Sequence, residues 1–566
     1  MKPIVWSIAG HDPSGGAGIT LDSKVFHALG VHGCTIATCD TVQTTQGVKE
    51  MKHVEPSLFA AQIQALQQDL PPRVIKLGAL SAGCFEEILC QAQDDVNRAQ
   101  DDADMSSRAP IWDLDGKSVS SRALIRDLDD SPFIICDPIL AASSGQPFLP
   151  ADHYHALLSH VDLLTPNWPE ASQLSGVDIV GHDDVPKAAQ ALHAQGVKAV
   201  LITGGHGPGD TVAEYFSDGQ SAFWLTLPRL PNTMVHGTGC ALSSAIAAMV
   251  AQGHDLKDAV VIAKMVLHQA IEHAQHLGQG ASLLTEFSVP SRQQAYLPNL
   301  MPSQSTSWDS ESGDVSFWPP IRDLENVNQI LCQAQDDIQL SSQLSICHPG
   351  PRSGILSQVH SFKPCGDLGL YVIVDSVAWV ERLLTLNVKT LQLRIKNATQ
   401  AELAKQIQQS VVLCQQYGAK LFINDYWQLA IEHGAYGVHL GQEDLDTADL
   451  NAIHQAGLRL GISTHCFYEV ARAHACRPSY LAYGPVYHTD SKPMAFGPRG
   501  LEQLAYWQQT LDYPLVAIGG ITQQRLPDIL ATGVKSTAVI SAITQAENVE
   551  AAVKTMQVEG NGLADQ

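Results

Sequence analysis

The 566-residue sequence has little positive charge for its size. It contains 34 Lys and Arg residues against 58 Asp and Glu residues, which gives a formal net charge of -24. This negative charge argues against a nucleic acid or an anionic membrane surface as a partner. Any phosphate-binding site must therefore be built locally, from backbone N–H groups, a few basic side chains and a metal ion.

The sequence also lacks a cysteine pattern and a long apolar run. Its 12 cysteines are scattered and include no CxxC pair, so we expect free thiols in a reducing compartment and no disulfide framework. No apolar stretch approaches the roughly 20 residues that a membrane helix needs. The apolar run at residues 4–9 is too short for a signal peptide, since His11 and Asp12 follow it. We therefore expect a cytoplasmic protein.

The first half of the chain alternates short apolar runs with amphipathic helical stretches. The runs include residues 4–9, 134–136, 163–165 and 199–203. This alternation is typical of a largely parallel sheet covered by helices, and it predicts an open-sheet α/β domain over residues 1–287. An Asp- and Ser-rich stretch at about 90–130 is predicted to be an acidic insertion in it. Residues 288–364, rich in Pro, Ser and Gln, are predicted to be a linker. The octapeptide ILCQAQDD at 88–95 recurs at 330–337, and its role stays open.

The last part of the chain, residues 365–566, is the most regular. Strand-like runs lie at residues 370–374, 390–394, 421–424, 437–441, 459–464, 480–486, 515–519 and 537–542. A helical stretch follows each run. Eight βα repeats in this length predict a TIM (β/α)8 barrel, whose active site lies at the carboxyl ends of the strands.

Polar residues of catalytic type follow nearly every predicted barrel strand. Asp425 and Asp444 follow adjacent strands and can share Mg²⁺, which prefers oxygen ligands. The cations that would face the same anion are Arg394, Lys396 and Lys492. Gly519-Gly520 and the backbone near Ser541 can form a second anion pocket. Two phosphate sites and a metal indicate the joining or splitting of two phosphorylated molecules. Taken singly, Asp425 also fits a helix N-cap and the glycine pair a simple turn.

The barrel segments resemble those of thiamine-phosphate synthases. The segments are QLRIK (392–396), FIND (422–425), GVHLGQEDL (437–445), GISTH (461–465), TDSK (489–492) and AIGGI (517–521), in the family's order over residues 368–556. The resemblance implies that a pyrimidine diphosphate and thiazole phosphate give thiamine phosphate and pyrophosphate. It implies Mg²⁺ on Asp425 and Asp444, and the pyrimidine near Gln392 and Ser463. It also implies a pyrophosphate site of Arg394, Lys396, Asn424 and Lys492, and a thiazole phosphate site of Thr489, Ser491, Gly520, Ile540 and Ser541.

Two glycine-containing segments, a glycine-rich loop at residues 10–18 and the segment at residues 236–240, indicate a phosphate-transfer site in the first half together with two strand ends. His236-Gly-Thr-Gly-Cys240 opens an apolar helix, where free N–H groups and the helix dipole can bind an anion. Cys240 there would have its thiolate favoured and could deprotonate a substrate hydroxyl; it also fits a small buried residue at a helix start. Asp137, and Asn167 with Glu170, follow strands where acidic groups suit ATP phosphates and Mg²⁺.

These segments are similar to hydroxymethylpyrimidine/phosphomethylpyrimidine kinases, which have the ribokinase-like fold. They are AGHDPSGGAGITLD (9–22), TVQTTQGV (41–48), CDPIL (136–140), TPNWPEA (165–171), TGGHG (203–207) and HGTGC (236–240), within residues 3–275. The resemblance implies phosphorylation by ATP of a pyrimidine alcohol and then of its phosphate. It implies that Asp22 and Gln43 contact the pyrimidine, and that Gly237, Gly239 and Cys240 supply the anion hole and base. Thr203 departs from the pattern, because the family usually has Lys there.

Together the two resemblances predict a bifunctional transferase of thiamine biosynthesis. Mg²⁺ and the co-substrate ATP are the expected cofactors. The expected partners are small molecules, without nucleic acid or membrane, and a homo-oligomer is left open. Two alternatives remain for the first half: a pyridoxal-type or sugar kinase of the same fold, and a non-catalytic module that binds a pyrimidine.

Overall fold

The computed structural model describes residues 1–81, 83–84, 132–141, 150–231, 234–303, 307–308, 315–316, 361–489 and 497–561. The predicted acidic insertion at 90–130 and the second copy of the repeated octapeptide lie outside the described residues, as does the first copy. The chain forms two compact units. The first contains Met1–Leu300, and the second holds most of the chain from Met301 onward.

The first unit is built on an open ten-stranded sheet. Its strands are β1 (Ile4–His11), β2 (His32–Thr44), β3 (Gly47–His53), β4 (Val74–Leu77), β5 (Phe133–Cys136), β6 (Leu163–Leu164), β7 (Ala199–Ile202), β8 (Thr211–Ser217), β9 (Ala222–Pro228) and, numbered with the rest of the chain, β12 (Asn299–Pro302). Their order is β12-β9-β8-β7-β6-β5-β4-β1-β2-β3. The pairs from β2 through β1, β4, β5 and β6 to β7 are parallel. The pairs β2–β3, β7–β8 and β8–β9 are antiparallel.

Helices and a second small sheet complete this unit. The helices are α1 (Gly18–Ala28), α2 (Pro56–Asp69), α3 (Ala151–Leu158), α4 (Trp168–Ser175), α5 (Val185–Ala194), α6 (Thr238–Ala251) and α7 (Leu256–Glu272). The small sheet pairs β10 (Val235–His236) with β11 (Ser282–Leu283). α6 is apolar around most of its circumference and is buried along nearly its whole length, as expected of a helix that is apolar on all sides.

The parallel centre and the helical layers confirm the predicted open-sheet α/β fold. The linker prediction is wrong at its beginning, however. β12, within the predicted 288–364 linker, is the edge strand of the sheet. Leu300 of β12 and the preceding Tyr296 and Leu297 are buried, so burial of apolar side chains holds this segment in the first unit. The described residues also include a short hairpin of β13 (Ser307–Trp308) and β14 (Val315–Ser316). The other domain boundaries stay a prediction.

The second unit is a closed barrel of eight parallel strands, which confirms the predicted TIM barrel. Its strands are β15 (Leu370–Val374), β16 (Thr390–Leu393), β17 (Lys420–Asn424), β18 (Gly437–Leu440), β19 (Arg459–Thr464), β20 (Tyr480–Tyr483), β21 (Leu515–Ile518) and β22 (Ser536–Val539). The helices that follow them are α8 (Val377–Thr385), α9 (Gln400–Gln416), α10 (Trp427–Glu432), α11 (Leu450–Gln455), α12 (Phe467–Ala475), α13 (Gly500–Thr510), α14 (Leu526–Leu530), α15 (Ser541–Thr544) and α16 (Val549–Asn561).

Aromatic side chains fill the middle of the barrel. The rings of Tyr371, Phe422 and Tyr480 lie 5.1–6.0 Å apart between centroids, and all three residues are buried. Their packing closes the lumen, so the barrel is a solid core and its chemistry must lie at the strand ends. Among the described helices of both units, none has the length and apolar character needed to cross a membrane.

Candidate active sites

Four neighbouring barrel strands deliver polar residues to one rim. Arg394 follows β16, Asp425 follows β17, Asp444 lies in the turn after β18, and Ser463 is near the end of β19. The strands are parallel neighbours, so their carboxyl ends lie at the same end of the barrel. The structure therefore brings these sequence-predicted residues to one rim.

Two carboxylates on adjacent strands fit a Mg²⁺ ion. Asp425 is exposed and has a φ of 64°, and its backbone N–H donates to the His439 carbonyl of the next strand at 3.0 Å. Asp444 is half-buried, and its Oδ2 accepts the Gly441 N–H at 2.9 Å, which fixes its side chain toward the strand end. Among the described residues no cluster of three His, Cys, Asp or Glu residues could hold a metal. Two carboxylates suit Mg²⁺, which takes its remaining ligands from substrate phosphates and water.

The predicted anion ligands of the rim are only partly described. Arg394 is half-buried, and its backbone N–H donates to the Val374 carbonyl at 2.7 Å. Lys396 is exposed, and Asn424 is buried at the end of β17. Thr489 is half-buried, whereas Ser491 and Lys492 lie outside the described residues. The rim thus presents two described cations beside the carboxylates.

A buried hydrogen-bond chain crosses the lumen below this rim. Gln392 Nε2 donates to the Tyr371 hydroxyl at 3.0 Å, and that hydroxyl lies 2.9 Å from the Tyr480 hydroxyl. The Tyr480 hydroxyl lies 2.8 Å from His439 Nδ1, and His439 Nε2 lies 2.8 Å from Ser463 Oγ. These five residues, which we call the lumen chain, end at the two side chains predicted to lie near the pyrimidine. Sequence analysis missed its three inner members.

The imidazole of His439 is neutral over the physiological pH range. Burial lowers its pKa to about 4, and the nearby positive charge of Arg394 contributes to the lowering. One ring nitrogen therefore donates a hydrogen bond and the other accepts one.

The second predicted anion pocket lies where β21 and β22 end. Gly519 and Gly520 have φ values of 98° and 63°. A Cβ at Gly520 would lie 2.4 Å from the His488 carbonyl oxygen, so only glycine lets the backbone pass this close. Ile540 is half-buried and follows the adjacent strand β22. Ser541 is exposed and begins α15. The predicted members of this pocket therefore lie at adjacent strand ends.

In the first unit, the glycine-rich loop packs against the start of α6. Gly237, the N-cap of α6, has a φ of 82°, and a Cβ on it would lie 1.9 Å from the Gly16 carbonyl oxygen. Gly239 lies in the first turn, and a Cβ there would lie 3.6 Å from Asp137 Oδ1. The loop and the free N–H groups of the helix start therefore face one small space that also contains Asp137.

Asp12 holds the glycine-rich loop in shape, a role that sequence analysis missed. Its carboxylate accepts the N–H groups of Ser14 and Gly16 at 2.8 and 3.1 Å. Burial raises its pKa, but hydrogen bonds from His236 and Ser14 outweigh burial, and the net pKa is lowered. Gln43 Nε2 lies 2.9 Å from His236 Nε2, so Gln43 is anchored at the same place. The signal available in the sequence was a carboxylate two residues before a serine in a turn.

The structure corrects the prediction for Asp22. Its residue is 0% exposed, and Oδ2 accepts from Lys76 Nζ at 2.9 Å and from Ser7 Oγ at 2.6 Å. Oδ1 accepts from Ser244 Oγ at 2.8 Å. Both oxygens accept hydrogen bonds inside the protein, so Asp22 anchors α6 to the sheet and exposes no carboxylate oxygen to a substrate. Its partner Lys76, also 0% exposed, is a second residue that sequence analysis missed.

The prediction that the Cys240 thiolate is favoured is also wrong for the free chain. Burial raises the pKa of the thiol to about 12; Lys76 lowers it, and Asp137 and Asp22 raise it further. Desolvation and two carboxylates therefore outweigh the helix start and the buried lysine. Asp137 itself has a raised pKa, chiefly because it is buried. Its Oδ2 lies 3.5 Å from Ser243 Oγ on α6.

Asn167 and Glu170 form a capping box at the start of α4. Glu170 N–H donates to Asn167 Oδ1 at 3.0 Å, and Asn167 N–H donates to Glu170 Oε2 at 2.9 Å. Burial raises the pKa of Glu170 to about 8, and the charge of Asp137 adds to the rise. The two residues thus stabilise the helix, and Glu170 lies near Asp137 as expected for adjacent strands β5 and β6.

Arg229 brings a cation to the loop that follows Thr203, the position at which the family usually has Lys. Arg229, just after β9, donates from Nε, Nη1 and Nη2 to the carbonyls of Gly209, Gly205 and Gly207 at 2.9, 3.1 and 2.6 Å. Thr203 bridges to Asn167 through the backbone. Arg229 therefore fixes the shape of the loop over residues 204–209 and brings a positive charge to it.

Comparison with known proteins assigns both units. A family model described as thiamine monophosphate synthase matches residues 370–543, and one described as phosphomethylpyrimidine kinase matches residues 12–100 and 117–285. The thiamine-phosphate synthase of Yersinia pseudotuberculosis is 56% identical over 202 residues, which are 35% of this chain and 94% of that protein. The chain belongs to the thiamine-phosphate synthase family. The segment that matches the phosphomethylpyrimidine kinase model precedes the barrel in the chain.

Other relatives of the chain match one half or the other. The thiamine-phosphate synthase of Klebsiella pneumoniae is 60% identical over 186 residues, 33% of this chain and 88% of that protein. A phosphomethylpyrimidine kinase structure from Clostridium difficile is 27% identical, with a TM-score of 0.37, and covers 48% of this chain and all of that one. A pyridoxal kinase structure from Staphylococcus aureus is 23% identical, with a TM-score of 0.41, and covers 50% of this chain and 93% of that one. The family model favours a phosphomethylpyrimidine kinase over the pyridoxal-type alternative.

Proposed function

We propose that this bifunctional enzyme makes a pyrimidine diphosphate in its first unit and consumes it in its second. The first unit phosphorylates 4-amino-5-hydroxymethyl-2-methylpyrimidine and then its phosphate with ATP. The barrel joins the diphosphate to thiazole phosphate and releases pyrophosphate. The single observation that carries the barrel assignment is the rim on which Arg394, Asp425, Asp444 and Ser463 follow four neighbouring strands.

In the kinase unit, the transferred phosphoryl group would lie at the start of α6. The N–H groups of Gly239 and Cys240 bind its oxygens, as helix starts bind anions. Cys240 accepts the proton of the substrate hydroxyl as the thiolate, which burial disfavours in the free chain and the buried charge of Lys76 favours. Asp137 and Glu170 would contribute carboxylates for Mg²⁺ on ATP, and Arg229 holds the loop over residues 204–209, which would face the nucleotide.

In the barrel, the reaction requires separation of charge and no general base. The C–O bond between the pyrimidine methylene and the diphosphate breaks, and the thiazole nitrogen, which has no proton to lose, forms the new C–N bond. Arg394, Lys396 and Asn424 stabilise the departing diphosphate, and placing both substrates in line lowers the barrier further. Mg²⁺ bound to Asp425 and Asp444 would neutralise charge on the diphosphate. The pocket of Gly520, Ile540 and Ser541 holds the phosphate of the thiazole.

The test supplies the purified chain with the pyrimidine alcohol, ATP, Mg²⁺ and thiazole phosphate, and measures thiamine phosphate. We expect product that requires ATP, and product without ATP when the pyrimidine diphosphate is supplied instead. Product only from the supplied diphosphate would contradict the kinase assignment. No product from either mixture would contradict the barrel assignment. A cytoplasmic location stays a prediction; it is based on the expectation of reduced thiols, and none of the nine cysteines of the described residues forms a disulfide.

A further inference from the structure

The lumen chain does not need to be polar to fill the barrel. Tyr371 and Tyr480 are 0–1% exposed, and His439 and Gln392 are also buried. Buried polar groups cost free energy unless each is hydrogen-bonded, and aliphatic residues would fill the same volume without that requirement. The chain nevertheless uses every inner hydroxyl and both imidazole nitrogens, with separations of 2.8–3.0 Å. Its two ends, Gln392 and Ser463, belong to the candidate pyrimidine site.

Because each tyrosine hydroxyl has only one proton, all hydrogen bonds of the lumen chain must be donated in the same direction along it at any one time. Gln392 donates to Tyr371, so the Tyr371 proton goes to Tyr480 and the Tyr480 proton goes to His439 Nδ1. Because Nδ1 of His439 accepts the Tyr480 proton, the ring carries its own proton on Nε2 and donates it to Ser463 Oγ. The Ser463 proton is left to point away from the chain, and the Gln392 carbonyl oxygen, beside the second Nε2 proton, stays available as an acceptor.

Reversal is possible only for the whole chain. If the Gln392 amide turned, Tyr371 would donate to it, each proton along the chain would move to the other side, and Ser463 would donate to His439. Ser463 would then present an acceptor and Gln392 a donor. An intermediate arrangement leaves a buried hydroxyl proton without an acceptor or two protons facing each other, which costs about 1–3 kcal/mol.

We propose that the three inner residues of the lumen chain are positioning residues that couple its ends, so that one end presents an acceptor to the pyrimidine whenever the other presents a donor. This inference rests on the proposed synthase function. The edge of a neutral 4-aminopyrimidine has the complementary pattern, an amino N–H donor beside a ring-nitrogen acceptor. A pyrimidine protonated on that nitrogen presents two donors and does not match. The chain therefore selects the neutral ring, which is the electron-rich form that can support loss of the diphosphate.

The test is a pair of double-mutant cycles on the full chain. The dissociation constant of the pyrimidine diphosphate is measured by calorimetry with Mg²⁺ and without thiazole phosphate. The cycle combines Gln392→Met with Ser463→Ala, first in the otherwise unchanged chain and then with Tyr480→Phe. Tyr483→Phe is the matched control, because Tyr483 is equally buried on the same strand and its hydroxyl is not part of the lumen chain.

In the unchanged chain, the factor by which the two end substitutions together raise the dissociation constant should differ at least about fivefold from the product of the two single factors. The same difference is expected in the Tyr483→Phe background. With Tyr480→Phe the effects should multiply within about twofold, because the link between the ends is gone. Tyr371→Phe should uncouple them in the same way. Unchanged binding of thiazole phosphate would show that the barrel of each variant folds.

Equal coupling with and without Tyr480→Phe would overturn the inference, since the ends would then be coupled only through the ligand. Multiplicative effects in the unchanged chain would overturn it as well. Failure of the unchanged chain to bind the pyrimidine diphosphate would instead overturn the proposed function, and the inference with it.

Discussion

The two candidate sites use charge in opposite ways. On the barrel rim the charged side chains of Arg394, Asp425 and Asp444 remain exposed or half-buried at open strand ends. In the kinase unit α6 packs over the strand ends, and the charges there are buried: Lys76 pairs with Asp22, and Asp137 lies against the same helix. The strand therefore determines where a charged residue at its end lies. The element that packs over that end determines whether the charge faces solvent or another buried charge.

The largest expected effect breaks the buried pair. Lys76→Met leaves the Asp22 carboxylate buried without its cation, which should lower the free energy of unfolding of the first unit by about 3–5 kcal/mol. Kinase activity should be lost, while the barrel keeps its activity with supplied diphosphate. Denaturant unfolding and the two separate assays measure these outcomes. The double variant Lys76→Met/Asp22→Asn should regain most of the stability; if it does not, the pair is not the cause.

The next effect concerns the open rim. Asp444→Asn should lower synthase kcat/KM on the order of 100-fold and raise the Mg²⁺ concentration needed for half-maximal rate, because a ligand of the metal is lost. Asp446→Asn is a matched control, since Asp446 is exposed in the same short turn. Kinase activity should be unchanged in both variants. An equal loss in the two variants would contradict a specific metal role for Asp444.

The smallest expected effect uses pH. Because burial raises the pKa of Cys240 from 9.0 to about 12, the fold favours the neutral thiol. This contribution to stability is fully present below pH 9 and is lost as the pH rises toward 12. At pH 10 the free energy of unfolding should be about 1.4 kcal/mol lower than at neutral pH because of this thiol. Unfolding of the chain and of Cys240→Ala, compared at pH 8 and pH 10, should show a smaller loss for the variant; equal losses would contradict the burial of the thiol.

Much of the fold could be predicted because strand positions depend on local patterns. The apolar runs at Leu370–Val374 and Arg459–Thr464 became strands with the expected bounds, and β16 is only one residue shorter than expected. β12 could not be predicted, because Asn299–Pro302 is short and pairs with a strand that lies far away in sequence. Its burial comes from tertiary packing, which local periodicity does not contain.

The site was predictable to the extent that strand ends predict proximity. That reasoning placed Asp425 and Asp444 on the same rim. It failed for Asp22, because nothing local indicates that a lysine in the apolar run VIKL would reach it from β4. It also failed for the inner residues of the lumen chain, since a tyrosine in a strand fits an aromatic core equally well. Long-range polar pairing was the part that the sequence left open.

The contact between the two glycine segments of the kinase unit has a consequence for mutational tolerance. Gly237 and Gly16 carry no functional group, yet the space that a methyl group on Gly237 would need is already occupied by the Gly16 carbonyl oxygen. A survey of alanine substitutions would therefore record Gly237 as intolerant as any acid or base of the phosphoryl transfer. Such a survey would detect the short distance between two backbone segments, and not the chemistry of a side chain.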